Sequence, residues 1–173
     1  MSTPTPHPCE AALIDLLNAQ AILHETREHP AIFTVEDGKD IKGGLPGGHT
    51  KNLFLKDKAG QFVLVCALAK TSVRLNKLHK LLETKRLSFG SEEALWRHLQ
   101  VKPGSVTLFS VLNDKEKQVR LVLDKALFGP DRVWFHPMRN TASTAISSDD
   151  ILPFCEAAHH TPTVIDFAAL VEN

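Results

Sequence analysis

Gly43-Gly44-Leu45-Pro46-Gly47-Gly48-His49-Thr50-Lys51-Asn52-Leu53-Phe54-Leu55-Lys56 sets four glycines and a proline directly ahead of an apolar run. Such a loop must either turn sharply or let something approach its backbone closely. The run that follows reads as a strand, in which alternate side chains share a face. Lys51, Leu53 and Leu55 then point one way, and Asn52, Phe54 and Lys56 the other. After a turn at Asp57-Lys58-Ala59-Gly60, Phe62 to Leu68 is apolar almost throughout, as expected of a strand covered on both faces. Lys51 therefore stands where a core face meets a glycine-lined mouth. A lysine there either holds an anion or snorkels to water, and position alone favours the second.

The 173 residues fit one domain, residues 1–173, with a flexible segment at 1–8. No apolar run approaches bilayer-spanning length, and Met1 to Pro8 lacks the basic and apolar regions of a secretion signal. Cys9, Cys66 and Cys155 are too few and too scattered for a disulfide framework or a zinc pattern, which fits a reducing cytosol. The formal net charge is zero, which argues against a protein that coats nucleic acid by charge alone. The distribution is uneven. From Lys51 to Arg86 nine basic residues face only Asp57 and Glu83, whereas the chain from Asp149 onward has five acids and no Lys or Arg. The basic region is either a solvated face or a surface for a few phosphates.

Around the central pair, helical spacing of Ala12, Leu13, Leu16 and Leu17 predicts a helix over 9–20. Residues 22–29 read as a strand stopped by Pro30, and Thr34 as the cap of a short helix ending at Gly43. Ser72 is expected to cap a helix through about Leu82. Its apolar stripe is Leu75, Leu78, Leu81 and Leu82, with Arg74, Lys77 and Lys80 on an adjoining arc. Residues 86–89 suggest a short strand, and Ser91 starts a helix burying Leu95, Trp96 and Leu99. The turn Lys102-Pro103-Gly104-Ser105 leads to an expected strand over 106–112. A hairpin turn at 113–115 and a returning strand through Val119, Leu121 and Leu123 follow. Strands are expected at 133–135 and 141–146, then a helix capped at Ser148 and a closing strand near 164–167. These elements predict a mixed α/β (α+β) fold: a curled, mixed, largely antiparallel, barrel-like sheet surrounded by helices.

Several chemistries are excluded by pattern. There is no Gly-x-Ser-x-Gly elbow, and Cys66 lies in the most apolar strand, where a small core residue is expected. His7, His24, His29, His159 and His160 lack metal-ligand spacing with carboxylates, so no metal is assigned. Gly43 to Lys51 lacks the Gly-Lys-Ser/Thr ending of a nucleotide phosphate loop. What remains is a loop-and-backbone site. Amides around Gly104 and Ser105 can face a developing oxyanion. His136, between an apolar strand and a proline, is either a pocket hydrogen-bonder or a structural histidine, and Asn140 either a pocket residue or a turn former.

Four segments carry a resemblance: Glu28-His29-Pro30 with Phe33-Thr34-Val35-Glu36; His49-Thr50-Lys51-Asn52-Leu53-Phe54-Leu55-Lys56-Asp57; Pro103-Gly104-Ser105-Val106-Thr107; and His136-Pro137-Met138-Arg139-Asn140-Thr141-Ala142. Together they resemble freestanding prolyl-tRNA editing proteins of the YbaK / ProRS-associated domain superfamily. Within it the chain is most similar to ProX-type alanyl-tRNA(Pro) deacylases, from about residue 10 to 168. The resemblance implies hydrolysis of the ester joining alanine to the 3′ end of mischarged tRNA(Pro), with no cofactor, metal, membrane or DNA. It implies that Lys51 holds the terminal adenosine, that Gly104 supplies backbone donors beside the carbonyl, and that His136 lines the pocket as a positioning group. Thr34, His49, Asn52, Ser105 and Asn140 would contact substrate. Partners would be the tRNA acceptor end, with prolyl-tRNA synthetase or an elongation factor in support. The family loop Gly-x-x-x-Pro ends here in Leu108, which removes a rigid φ and introduces a bulkier side chain beside the expected pocket. Cysteinyl-tRNA(Pro) hydrolysis, or a tRNA- or synthetase-binding module without turnover, are the alternatives.

Overall fold

The computed structural model describes residues 7–31 and 44–171. Helix α1 (Glu10–Ala19) buries Leu13 and Leu17, one turn apart. Strand β1 (His24–Glu28) follows, shorter at both ends than the sequence suggested. The expected short helix capped by Thr34 lies outside the described residues. Then come β2 (Gly48–Asp57), β3 (Phe62–Leu68), α2 (Leu75–Leu81), β4 (Leu87–Phe89) and α3 (Glu92–Leu99). A 3₁₀ helix (Leu108–Asn113) leads to β5 (Val119–Asp124), β6 (Arg132–Phe135) and β7 (Ala142–Ser147). Helix α4 (Ile151–Ala157), β8 (Thr163–Ile165) and α5 (Phe167–Val171) complete the described chain.

The sheet runs β1-β7-β6-β2-β3-β5-β8, with β4 also paired to β2. Four strand pairs are antiparallel and three are parallel: β2 with β6, β3 with β5, and β5 with β8. Parallel pairing is thus more extensive than short hairpins implied, because the chain between β3 and β5 is a crossover carrying α2, β4 and α3. Strand β2 belongs to both halves of the sheet. Its start pairs with β6, its length with β3 and its end with β4.

The alternation expected of β2 divides the interior in two. Phe54, with Leu64, Cys66, Leu121 and Phe135, joins the larger core, which also takes in α1, α3, α4 and the 3₁₀ helix. Leu53 and Leu55, with Val63, Val65 and Val122, join a smaller cluster under α2 and α5. Phe109 makes edge contacts with Phe135 and Phe154 at ring separations of 5.3 and 5.2 Å. Burying each ring contributes about 1.5–3 kcal/mol.

Local departures have local causes. Residues 106–112 do not form a strand. The Thr107 hydroxyl accepts from Phe109 N and the Ser110 hydroxyl donates to Thr107 O, tightening the segment into 3₁₀ turns. That places Leu108, Phe109 and Val111 all in the core, which an alternating strand could not do. The expected hairpin turn at 113–115 is instead closed by the Asp114 carboxylate, which accepts from Gln118 N and Val119 N. Helix α2 starts at Leu75 from extended Arg74, without a side-chain cap, rather than at Ser72, and Leu81 is half exposed. Ser91 caps α3 as expected, through Ala94 N, but Ala94 takes the buried position assigned to Trp96, which is 50% exposed. The last cap shifts one residue: Ser147, not Ser148, accepts from Asp149 N, and a 3₁₀ turn over 148–150 precedes α4.

Candidate active site

Register assembles the site. Strands β2 and β6 run parallel with Gly48 opposite Val133 and His49 opposite Trp134. Strand β6 ends at Phe135, so the ladder stops just before His136, while β2 continues through Lys51. The β6–β7 ladder ends with Phe135 opposite Thr144, one residue before His136. Strand β1 adds Arg27 opposite Ser143, and β3 adds Ala67 opposite Lys51. Arg27 thus pairs with Ser143 on one side of β6 and Lys51 with Ala67 on the other, and His136 follows β6 directly between these pairs. Ring contacts agree: His49 and Trp134 stack 6.5 Å apart at 7°, and the rings of His29 and His136 lie 6.3 Å apart.

The glycine loop is held down onto this face by its own strand ends. Trp134 Nε1 donates to Pro46 O at 2.9 Å, and the His49 ring reaches Leu45 O through Nε2 at 2.8 Å. Gly47 has φ +124°, and a Cβ there would lie 2.8 Å from the Arg132 carbonyl; a Cβ at Gly48 would lie 2.8 Å from the Pro130 ring. The close approach that the sequence demanded is thus β6 and the segment before it. His49, expected to contact substrate, anchors the loop.

His136 and Lys51 are half-buried. His136 Nδ1 lies 2.9 Å from Ala142 O and donates its proton there. His29 Nε2 meets the Ser143 hydroxyl at 2.8 Å and its Nδ1 meets Pro30 O at 2.8 Å, placing a second ordered imidazole beside the first.

The connection carrying His136 and Asn140 is clamped by a residue between them. Arg139 donates from Nε and Nη2 to Glu10 at 2.9 and 3.1 Å, and from Nη1 and Nη2 to Glu28, each at 2.6 Å. Nη1 also donates to the Thr141 hydroxyl at 3.0 Å. The hydrogen bonds from Glu28, then those from Glu10, raise the Arg139 pKa further, and Arg139 in turn holds Glu28 below the usual carboxylate range. One guanidinium thus pins the β6–β7 loop to α1 and β1. Met138, at φ +71°, is buried in the larger core, and Asn113 Nδ2 donates to its sulfur. Asn140 is half-buried in this loop. The sequence motif contained Arg139, but nothing local tied it to carboxylates 129 and 111 residues away.

Other expected site residues are placed differently. Asn52 projects from the opposite face of β2, opposite Cys66. Its Nδ2 lies 3.4 Å from the Thr50 hydroxyl, and it is Thr50 that braces β2 against β6 by donating to Trp134 O at 2.8 Å. Its Oδ1 is buried with no hydrogen-bond partner among the described residues. Gly104 is exposed at φ +89°, and Ser105 N donates to Lys102 O at 3.0 Å. That is a type II turn, with Pro103 and Gly104 at the positions such a turn prefers. The Ser105 amide is therefore committed to the turn, leaving those of Gly104 and Val106 as candidate donors. Among the described residues no hydrogen bond joins Gly104 to Lys51 or His136. Leu108 is fully buried in the larger core. Thr34 lies outside the described residues.

Burial pushes the Cys66 thiol up strongly and the Cys155 thiol up to about 12, leaving both as inert core residues. Among the described residues no group of three or more His, Cys, Asp or Glu could hold a metal ion, and no helix is long and apolar enough to cross a membrane.

Residues 29–154 match the profile of the aminoacyl-tRNA editing domain, and the chain belongs to that family. Among its relatives is the prolyl-tRNA synthetase associated domain-containing protein 1 of Mus musculus, 39% identical over 162 residues that cover 91% of this chain and 95% of the mouse protein. The prolyl-tRNA editing protein ProX of Acetoanaerobium sticklandii is 33% identical over 156 residues, covering 90% of this chain and 95% of that one. The crystal structure of a candidate trans-editing enzyme for prolyl tRNA synthetase superposes with a TM-score of 0.69. It covers 94% of this chain and 98% of its own, and at 17% identity the likeness establishes a shared fold.

Proposed function

We propose that this protein is a trans-editing hydrolase that deacylates mischarged alanyl-tRNA(Pro). The observation that carries the proposal is the parallel pairing of β2 with β6, which lays the strand bearing Lys51 alongside the strand that leads into His136, in a chain of the aminoacyl-tRNA editing family. The name of the ProX relative supports prolyl-tRNA as the carrier. The ester is already reactive, so the protein's task is to grip the acceptor end, order a water and stabilise the developing oxyanion. Lys51, a compact cation with three donors, holds the terminal adenosine through its phosphate or ribose oxygens. The His136 ring, held at Nδ1 by Ala142 O, lines the pocket and positions the ester end. Amides of the Gly104 turn face the carbonyl oxygen. Water oxygen bonds to the carbonyl carbon, the bond to the ribose 3′ oxygen breaks, and a proton passes to that oxygen. Alanine and tRNA are released. Asn140, Ser105 and Thr34 complete the substrate contacts, and Thr50 and His49 hold β2 and its loop in place.

Selectivity against proline is steric. A methylene alone is worth only about 1–3 kcal/mol, so small residues including cysteine are admitted with modest discrimination. Prolyl-tRNA synthetase or an elongation factor is the proposed partner in delivering tRNA. A binding module without turnover is the second reading, favoured by the name of the mouse relative, which specifies association rather than activity.

A deacylation panel with alanyl-, cysteinyl-, seryl- and prolyl-tRNA(Pro) tests these readings. Alanyl-tRNA is expected to be cleaved fastest and prolyl-tRNA spared. Lys51→Ala should lose about a hundredfold or more of the rate, since misplacing the reacting group costs that much, with an unchanged melting temperature. Tight binding without hydrolysis above the spontaneous rate would select the binding module. Full activity of Lys51→Ala would remove the lysine from the mechanism.

A further inference from the structure

Between β3 and β4 the protein carries cations that its own acids do not neutralise. Among the described residues the ion pairs are Arg27 and Arg132 with Glu25, Arg97 with Glu93, Arg139 with Glu10 and Glu28, and His160 with Asp114. None involves a residue between Lys51 and Arg86. There Lys70, Arg74, Lys80, Lys85 and Arg86 are all exposed. Of the two acids in the same span, Asp57 is 3% exposed and spent on backbone amides of Ala59, Gln61 and Lys85. Glu83 remains as the single exposed acid. Lys77 is engaged at Leu170 O, tying α2 to α5.

These cations sit beside the candidate site. Leu68, at the end of β3, pairs with Thr50, and Ala69 N donates to His49 O at 2.8 Å. Lys70 therefore leaves the sheet next to the residues that precede Lys51. Arg74 then precedes α2, and α2 packs through Leu78 and Leu82 on the sheet face that bears Lys51.

We infer that Lys70, Arg74 and Lys80 form a track for the phosphates of an RNA duplex whose single-stranded 3′ end enters the Lys51–His136 site. This inference rests on the editing reading for the identity of the RNA. The track supplies affinity without base readout, since phosphate contacts position a nucleic acid and carry no sequence information. It also lets a protein of zero net charge hold a polyanion, because the acids that balance these cations lie elsewhere in the chain, five of them from Asp149 onward.

Binding of uncharged RNA separates the surface from the chemistry. Wild type, Lys70→Gln/Arg74→Gln and a control, Lys125→Gln, would be titrated with an RNA hairpin bearing the tRNA acceptor end and with a short 3′-terminal oligonucleotide. All three substituted side chains are exposed, so folding is not at issue. The double variant should lower the slope of log affinity against log salt by about one per cation removed. From 50 to 200 mM salt, wild type should then lose roughly 12-fold more affinity for the hairpin than the double variant does. The oligonucleotide affinity and the control slope should not move. An unchanged slope in the double variant, or an equal change in the control, overturns the track. Hydrolysis scored in parallel keeps the two proposals apart: a changed slope with no turnover by wild type preserves the surface and removes the editing reading. The converse pattern removes the surface alone.

Discussion

Arg139→Ala removes the side chain that ties the His136–Asn140 connection to α1 and β1, and its cost follows from the two carboxylates it abandons. Glu10 and Arg139 have side chains only 12% exposed, so their bidentate pair is close to a buried ion pair. Removing one partner of such a pair costs about 3–5 kcal/mol. The Glu28 arm is 60% exposed on the carboxylate side and adds at most about 1 kcal/mol after solvent screening. Glu10 lies at the first turn of α1, where the helix amides and partial solvent access relieve some of the penalty, so a net loss of roughly 2–4 kcal/mol is expected. For a domain of this size that lowers the melting temperature by roughly 4–16 °C, while leaving a folded protein. Arg139→Lys should recover little, because an ammonium cannot fork onto two carboxylates. The assay is urea unfolding of Arg139→Ala, Glu10→Gln and the double variant. Coupling of at least about 1 kcal/mol is expected between residues in one network. Additivity within about 0.5 kcal/mol, or a single-variant loss of that size, would refute the clamp.

The buried His160–Asp114 pair predicts a pH signature. The His160 Nε2 lies 3.0 Å from Asp114 and its Nδ1 2.9 Å from Ala158 O, so both nitrogens face acceptors and the hydrogen bond to Asp114 raises the His160 pKa. Burial alone would raise Asp114, but His160 and the Gln118 and Val119 amides outweigh it and lower its pKa. The histidine's contribution is complete below its unfolded pKa of about 6.5 and fades as pH rises through the raised folded value. The aspartate's is complete above its unfolded pKa of about 4 and fades as pH falls through the lowered one. Denaturation midpoints should therefore decline above neutrality in wild type more than in His160→Gln, and parallel profiles would rule this out. Leu108→Pro should cost about 1–3 kcal/mol in lost core packing while leaving the alanine-to-cysteine selectivity unchanged, because the side chain faces the core. Position 108 opens the 3₁₀ helix after the Thr107 cap, where a proline fits without losing a hydrogen bond. Urea unfolding and the deacylation panel read both effects.

What could be read in advance depended on how local its cause was. The β2–β3 pair, the two-faced alternation around Lys51 and the Ser91 cap follow from neighbours in sequence, and all were legible. The segment 106–112 was not, because a short apolar run fits a strand or a tightly wound turn equally until Thr107 and Ser110 commit their hydroxyls. The loop glycines were recognised as demanding close approach, but the visitor, β6 and its lead-in, comes from more than eighty residues away. The parallel pairing of β2 with β6, which draws the Lys51 strand alongside the strand leading to His136, is one that no local pattern encodes. Asn52 was assigned to substrate on resemblance, whereas alternation alone sends it through the sheet from Lys51. The Arg139 clamp escaped notice for the same reason as the register: its partners are distant in the chain.

Strand β2 is a seam shared by the β6, β3 and β4 ladders, and this constrains how the protein can change over time. A single-residue insertion or deletion upstream of Lys51 but inside the strand would turn Leu53 and Leu55 out of one core, Phe54 out of the other, and break all three ladders at once. Length variation is therefore barred from the strand that carries the cation. New amino-acid preferences have to arise by exchanging side chains around a fixed Lys51, or by remodelling the connections that cross the mouth of the sheet.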